Sequence, residues 1–142
     1  MNIQEIEDRI LLRELVDKVS MLGDRKDFSA QVELFDDNAL SETFAGDTPI
    51  LRLTGRKAMA EAFPVFLKDF KTVYHLNGQQ VVTLEGDSAK GTCYCVITLI
   101  KIGKEKTLTT TIGAVYQDEY IRKNNRWLIA KRVGNFEWQE KT

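Results

Sequence analysis

Four segments, TVYHLNGQQVVTL (72–84), AKGTCYCVITLIKI (89–102), TLTTTIGAVYQDEYIR (107–122) and WLIAKRVGNFEW (127–138), decide the fold. Each is rich in Val, Ile, Thr and Tyr, the side chains that suit a pleated, half-buried surface. Their separators, GDSAKG, GKEK and KNN, are short and polar enough to be hairpin turns. Four long strands joined this briefly predict an antiparallel meander. Upstream the period changes. From Ile3 to Leu22, the residues Leu11, Leu12, Leu15, Val16, Val19 and Leu22 recur at helical spacing and form one apolar stripe. Ile3, Ile6 and Ile10 fall on another side, open to a different contact such as a second subunit. Gly23 is the expected stop of this helix. In LGDRKDFSAQVELFDDNA (22–39), Asp27 is placed to cap a short second helix anchored by Phe28, Val32, Leu34 and Phe35.

Two short strand-like runs follow, ALSETFA (39–45) and ILRL (50–53), separated by the turn residues Gly46, Asp47 and Pro49. A third helix begins after Gly55 with Ala58, Met59, Ala62, Phe63, Phe66, Leu67 and Phe70 as its apolar set. Pro64 falls inside it and predicts a break, because a proline removes a helical donor and clashes with the preceding turn. Helices first and strands last is the α+β arrangement, a curved and mainly antiparallel sheet wrapped around three N-terminal helices. No repeat, low-complexity tract or linker interrupts residues 1–142, so one domain is expected.

Composition narrows the function. The 142 residues carry 20 basic and 21 acidic side chains, a formal net charge of −1. That balance offers no surplus for holding a nucleic acid or an anionic membrane. The start, MNIQEIEDRILL, mixes acids with apolar residues and lacks a secretory leader's basic region and apolar core. No apolar run approaches the roughly 20 residues that span a bilayer. Cys93 and Cys95, two apart on one strand, point the same way, a poor geometry for pairing with each other. Two free thiols suit a reducing compartment, and a cytoplasmic protein is expected; both also fit as small apolar packing residues.

The final two strands, GAVYQDEYIRKNNRWLIAKR (113–132), carry Gly113, Tyr116, Asp118, Tyr120, Arg122, Arg126, Trp127, Ile129 and Arg132. This pattern resembles the end of SnoaL-like proteins of the nuclear-transport-factor-2-like superfamily, the group that includes scytalone dehydratase and bile-acid dehydratase relatives. LGDRKDFSAQVELFDDNA, LTGRKAMAEAF (53–63) and HLNGQQVVTLEGDSAKGTCY (75–94) resemble that family's other segments in the same order. The resemblance thus covers nearly the whole chain and implies a cone-shaped α+β barrel with one pocket. It also implies a homodimer in which the sheet's outer face is covered by a second copy. The fold hosts dehydratases, isomerases, cyclases and plain binding modules, so resemblance alone does not choose an activity. By position, His75 and Asp24 look like the histidine and aspartate of its dehydratase-like members. Val19 stands where those members carry a tyrosine, and Gln79 where they carry an asparagine. Both departures count against a scytalone-type or bile-acid-type reaction.

Strand alternation places Val73, His75, Asn77, Gln79 and Val81 on one face, an apolar wall bearing a few polar groups, as a small-molecule pocket requires. Imidazole is suited to move protons near neutral pH, and a nearby carboxylate such as Asp24 would set its tautomer. The leading expectation is therefore a cofactor-independent dehydratase or isomerase that uses His75 with Asp24 on a small, mostly apolar, oxygenated molecule. Asn77, Gln79, Tyr94 and Tyr116 are its candidate substrate-binding residues. The alternative is a non-catalytic ligand-binding or dimerisation module. In it His75 is a hydrogen-bonded structural histidine, Asp24 a turn residue and the tyrosines core. Arg132 can hold a ligand carboxylate or pair with Asp118 across the sheet, and the pairing is favoured. Trp127 and Trp138 fit core and C-terminal packing. One histidine without a cysteine cluster argues against a zinc site. The chain also has no phosphate-binding glycine loop and no Gly-x-Ser-x-Gly, so no nucleotide cofactor or serine nucleophile is expected. Nothing nearby activates Cys93 or Cys95 as a nucleophile.

Overall fold

In the computed structural model, which describes residues 1–142, helix α1 (Ile3–Asp24) starts at Asn2, whose side chain accepts the Glu5 N–H at 2.9 Å. Its stripe is narrower than the sequence suggests. Leu12, Leu15, Val16 and Val19 are buried, whereas Leu11 is exposed, as are Ile3, Ile6 and Ile10. Gly23 does not stop the helix. The chain leaves at Arg25, and Lys26 takes the left-handed conformation (φ 57°) that a glycine usually supplies. Gly23 is instead a packing glycine, since a Cβ there would lie 2.8 Å from Gln31 Nε2 of the next helix. That helix, α2 (Phe28–Val32), is capped by Asp27, which accepts the Ala30 N–H, as the sequence predicts.

The chain turns directly into β1 (Phe35–Ala45), so Phe35 and the three residues after it belong to the strand and not to the second helix. A hairpin through Gly46 (φ 60°) leads to β2 (Thr48–Thr54), then to α3 (Arg56–Leu67). The break expected at Pro64 does not occur. Pro64 is in the last turn, and α3 continues through it to Leu67 with the one helical bond of its missing N–H forfeited. Lys26 covers the end of α3, its ammonium donating to the carbonyls of Leu67 at 3.0 Å and Phe70 at 2.6 Å. None of the helices is long and apolar enough to cross a membrane.

The remaining strands are β3 (Thr72–Glu85), β4 (Ser88–Ile102), β5 (Thr107–Lys123) and β6 (Arg126–Lys141). They form the expected meander. Asn124 and Asn125, both at positive φ, make the two-residue turn between β5 and β6. One six-stranded sheet results, in the order β2-β1-β6-β5-β4-β3, with β1 parallel to β6 and every other pair antiparallel. The helices pack against one face of this curved sheet. Leu12, Val16, Phe35, Met59, Cys93, Tyr120 and Ile129 meet in its core with exposures of 2% or less. Gly91 leaves room for the Tyr120 ring, which would stand 2.9 Å from a Cβ at that position.

A bulge in β3 changes the face that the sequence assigns. Asn77 pairs with Cys95 but Gln80 pairs with Cys93, so β3 carries one extra residue across Gly78 and Gln79. His75 and Asn77 face the helices, and beyond the bulge Gln80, Val82 and Leu84 do so, while Gln79 and Val81 are turned outward. Helix α1 holds this bulge. Arg13 donates to the carbonyls of Gly78 and of Asn77 (3.1 Å), and Gln80 Nε2 donates to Leu12 O at 3.3 Å.

The two halves of the meander's far end are tied by a buried ion pair. Arg132 Nε and Nη2 donate to the two Asp118 carboxylate oxygens at 2.8 and 3.0 Å, and Tyr120 Oη donates to Asp118 at 2.9 Å. This is the cross-sheet pairing favoured from the sequence. Burial alone would lower the Arg132 pKa, but the Asp118 carboxylate outweighs it and keeps the guanidinium charged. Removing one member of such a pair strands a buried charge. Asp118→Ala is therefore expected to lose about 3–5 kcal/mol of stability in urea unfolding; a loss below about 1 kcal/mol, the range of exposed pairs, would show that the pair contributes little.

Candidate active site

Between the helices and the concave side of the sheet is a cavity of about 140 Å³. Val19, Phe28, Phe35, Phe63 and Leu67 form its apolar wall, and Ser20, Gln31, Ser41, Glu42, His75, Tyr116 and Arg132 are its principal polar groups. The elements explain the mixture. Val19, Ser20 and Gly23 come from one face of α1, Phe28 and Gln31 from the same face of α2, and Phe63 and Leu67 from successive turns of α3. His75 enters from β3, Ser41 and Thr43 from alternate positions of β1, and Tyr116 and Arg132 from β5 and β6.

Asp24 and His75, 51 residues apart, are in direct contact. His75 Nδ1 lies 2.6 Å from Asp24 Oδ1, and the His75 backbone N–H donates to both carboxylate oxygens at 3.0 and 3.2 Å. One carboxylate thus grips the strand backbone and the ring together. An acceptor at Nδ1 places the proton there in the neutral imidazole and leaves Nε2 with its lone pair free to accept a proton. Both side chains are about four-fifths buried.

The other candidates divide. Tyr116 lines the cavity, with the Arg132 guanidinium stacked 4.0 Å from its ring centroid, and burial raises its phenol's pKa well above the ordinary range. Asn77 is committed to helix α1. Its Nδ2 donates to Val16 O, Asp17 Oδ1 and Ser20 Oγ at 3.0–3.2 Å, so it anchors α1 and does not line the cavity. Gln79 and Tyr94 do not belong to the cavity. The bulge turns Gln79 outward, and Tyr94, half exposed, stands on the outer face because its neighbours Cys93 and Cys95 point inward. Trp138 is also on the outer face, packed over Gly113 so closely that a Cβ there would collide with its indole. Trp127 is core, its indole N–H donating to Asp8 at 3.2 Å.

Sequence reasoning missed Gln31, Ser41 and Glu42 as cavity residues. Gln31 had a signal, since it lies three residues after Phe28 and shares its helix face. Glu42 is occupied by Arg52 of the neighbouring strand at 2.9 Å.

Layer order, concavity and site define a class: a helix-lined α+β cone with a single carboxylate-held imidazole at its cavity. A SnoaL-like domain matches residues 4–133, and the chain belongs to that family of the nuclear-transport-factor-2-like superfamily. Among solved structures, it superposes on a candidate scytalone dehydratase from Novosphingobium aromaticivorans with a TM-score of 0.86 at 13% identity, covering 99% of this chain and 91% of the other. An NTF2-like protein with a cystatin-like fold from the same species gives 0.75 at 23% identity, over 94% and 84%. A type-3 hexachlorocyclohexane dehydrochlorinase, LinA, from Novosphingobium barchaimii gives 0.82 at 16% identity, over 97% and 92%. At these identities the likeness is one of fold. No protein of curated function matches by sequence.

The buried thiols have a measurable consequence. Burial raises the pKa of Cys93, and that of Cys95 to about 12. Burial also raises Tyr116 and Tyr120. At alkaline pH the unfolded chain loses these protons at ordinary values while the folded chain retains them, so the folded state binds more protons and stability falls as pH rises. Unfolding free energy is expected to fall between about pH 9 and pH 12, and Cys95→Ala to lessen the slope; a flat profile in urea titrations would contradict these shifts.

Proposed function

We propose that the chain is a cofactor-independent lyase or isomerase that moves a proton on a small oxygenated molecule held in the cone. The single observation that carries this reading is the 2.6 Å contact between His75 Nδ1 and Asp24 Oδ1 at the cavity's edge. With Nδ1 held by the carboxylate, Nε2 removes a proton alpha to a carbonyl, and Asp24 steadies the resulting imidazolium. Negative charge developing on the carbonyl oxygen falls in a cavity lined by the Tyr116 phenol and the Arg132 guanidinium. In a dehydration, the enolate then expels a beta hydroxyl, which takes the proton from the imidazolium and leaves as water. In an isomerisation the same proton returns to a different carbon. Proton transfer of this kind contributes roughly 100- to 10,000-fold in rate. The dehydratase and dehydrochlorinase names among its structural neighbours describe eliminations and are consistent with this chemistry.

A binding module without catalysis is the second reading, favoured by Val19, which puts hydrocarbon where dehydratase-like relatives carry a phenol. One probe separates the two. 3-Hydroxycyclohexanone, a ring of the cavity's scale, is expected to exchange its alpha protons with D2O and to form the enone, seen by its ultraviolet absorption. His75→Ala should reduce both rates roughly 100-fold or more with folding retained, and Asp24→Asn should reduce them less. Binding of the ring with no exchange above buffer, or equal rates in wild type and His75→Ala, would favour the module.

We further propose that a second copy of the chain covers the outer face of the sheet, as the family resemblance implies. Tyr74, Leu76, Tyr94, Val96 and Trp138 are exposed there, on β3, β4 and β6, an apolar surface of the kind that association buries. Light scattering at micromolar concentration is expected to give a dimer and the double variant Leu76→Lys, Tyr94→Lys a monomer; a monomeric wild type would refute this.

A further inference from the structure

Gly134 is a glycine that its own backbone does not require. It stands inside β6, paired with Tyr116 of β5 and Thr43 of β1, at a point where neither ladder is bulged. Its φ is outside the left-handed region, so a side chain there would not strain the backbone. A glycine within a strand weakens it, and one reason to have it is the close approach of another group. Here that group is a ring. A Cβ at position 134 would stand 2.9 Å from Tyr116 Cε1 and 3.1 Å from Cδ1. The Tyr116 ring therefore lies over the bare Cα of Gly134, with the Arg132 guanidinium 4.0 Å from its centroid. Gly91 makes similar room for Tyr120, but that ring is sealed in the core at 1% exposure. Tyr116 lines the cavity instead.

We infer that Gly134 is a specificity-determining residue, whose missing side chain lets the Tyr116 ring lie against the sheet and so clears the space for a six-membered ring. This rests on the reading that a small molecule occupies the cone, and it adds the size and shape of that molecule. The cavity, at about 140 Å³, is close to the roughly 150 Å³ that holds benzene in an apolar protein interior. That margin is narrow. A methyl group at position 134 would have to move the Tyr116 ring by about 0.5–1 Å to restore the roughly 3.5–4.0 Å of ordinary carbon contact. Beneath the ring is the sheet, and beside it is the Arg132 guanidinium, which Asp118 holds in place. The ring therefore yields away from the sheet, into the cavity that it lines. His75 enters from β3, which β5 and β4 separate from β6, and Asp24 from the end of α1. A change at Gly134 thus alters which molecule enters without touching the pair that moves the proton.

3-Hydroxycyclohexanone and 4-hydroxy-2-butanone carry the same ketone and beta hydroxyl and differ by two carbons and ring closure. Titrations of the full chain, followed by the amide resonances of Ser41 and His75, measure their affinities. Wild type is expected to bind the ring roughly tenfold more tightly, the effect of two more buried carbons. In Gly134→Ala the ring should lose about tenfold and the open chain less than about twofold, which removes the preference. Where turnover is followed, the loss should fall on KM for the ring and spare kcat for the open chain. In a Tyr116→Ala background the same Gly134→Ala change should shift neither affinity, because the ring through which it acts is gone. Tyr116→Phe, which keeps a ring over Gly134, should keep the preference. Tyr116→Trp, which overfills the slot from the other strand, should lose it and serves if Gly134→Ala does not fold. A preference that survives a displaced ring overturns the inference, as does one lost in Tyr116→Phe, where the hydroxyl would be choosing. A wild type that excludes the cyclic ketone also overturns it, while His75-dependent exchange of the open-chain ketone would keep the catalytic reading. The expected pattern of affinities without any alpha exchange would do the reverse.

Discussion

The polar clamp between helix α1 and strand β3 governs the rest of the molecule. Along one edge of the helix, Arg13 takes the carbonyls of Asn77 and Gly78, Asn77 reaches back to Val16, Asp17 and Ser20, Gln80 donates to Leu12 O, and Asp24 takes the His75 N–H. Those made to the His75 N–H and to the Asn77 and Gly78 carbonyls bond backbone groups of β3, the edge strand of the sheet, groups that are costly to bury unpaired. They also set the helix at one height along the strand. The apolar stripe of Leu12, Leu15, Val16 and Val19 supplies the drive to bury α1, but hydrocarbon contact is nondirectional and does not specify a height. The polar edge does. Because Asp24 is the last helical residue and His75 lies two positions before Asn77, the register that pairs Asn77 with Asp17 and Ser20 also brings the carboxylate to the imidazole.

The cavity beyond that contact is held open by groups that are expensive to place. Arg132 is buried and compensated by Asp118, which is in turn bonded by Tyr120. Such a pair is a poor source of stability relative to hydrocarbon, and it sets a guanidinium against the Tyr116 ring at the wall of the cavity. Gln31, another residue of the lining, buries an amide oxygen without a hydrogen-bond partner.

Much of the architecture was legible in one dimension. Four runs of β-favouring residues separated by GDSAKG, GKEK and KNN became β3 to β6 in the expected order, because a short polar turn leaves an extended chain little choice but to pair with its predecessor. The Asp27 cap, the inward pair Cys93 and Cys95, and the Asp118–Arg132 bridge followed from local spacing. The errors share a cause. Gln79 was placed by strict alternation, which the bulge at Gly78 breaks; an isolated glycine within a strand was the available warning. Tyr94 was read as a pocket residue although strand alternation sets it on the face opposite to Cys93 and Cys95. Gly23 looked like a helix stop and is a contact glycine for Gln31. Pro64 looked like a break, yet the helix runs through it to Leu67.

Periodicity, turn chemistry and the order of segments, all properties of neighbours in the chain, determined the α+β class and the meander, while the resemblance to SnoaL-like proteins singled out His75 with Asp24. Which of those candidates share a space was decided only by the folded molecule. A strand's side-chain direction reverses with a single inserted residue, and the contact between groups 51 residues apart depends on how a helix and a strand lock together. Both are outcomes of long-range hydrogen bonding and packing, of which Gly78 within the strand is the one local sign.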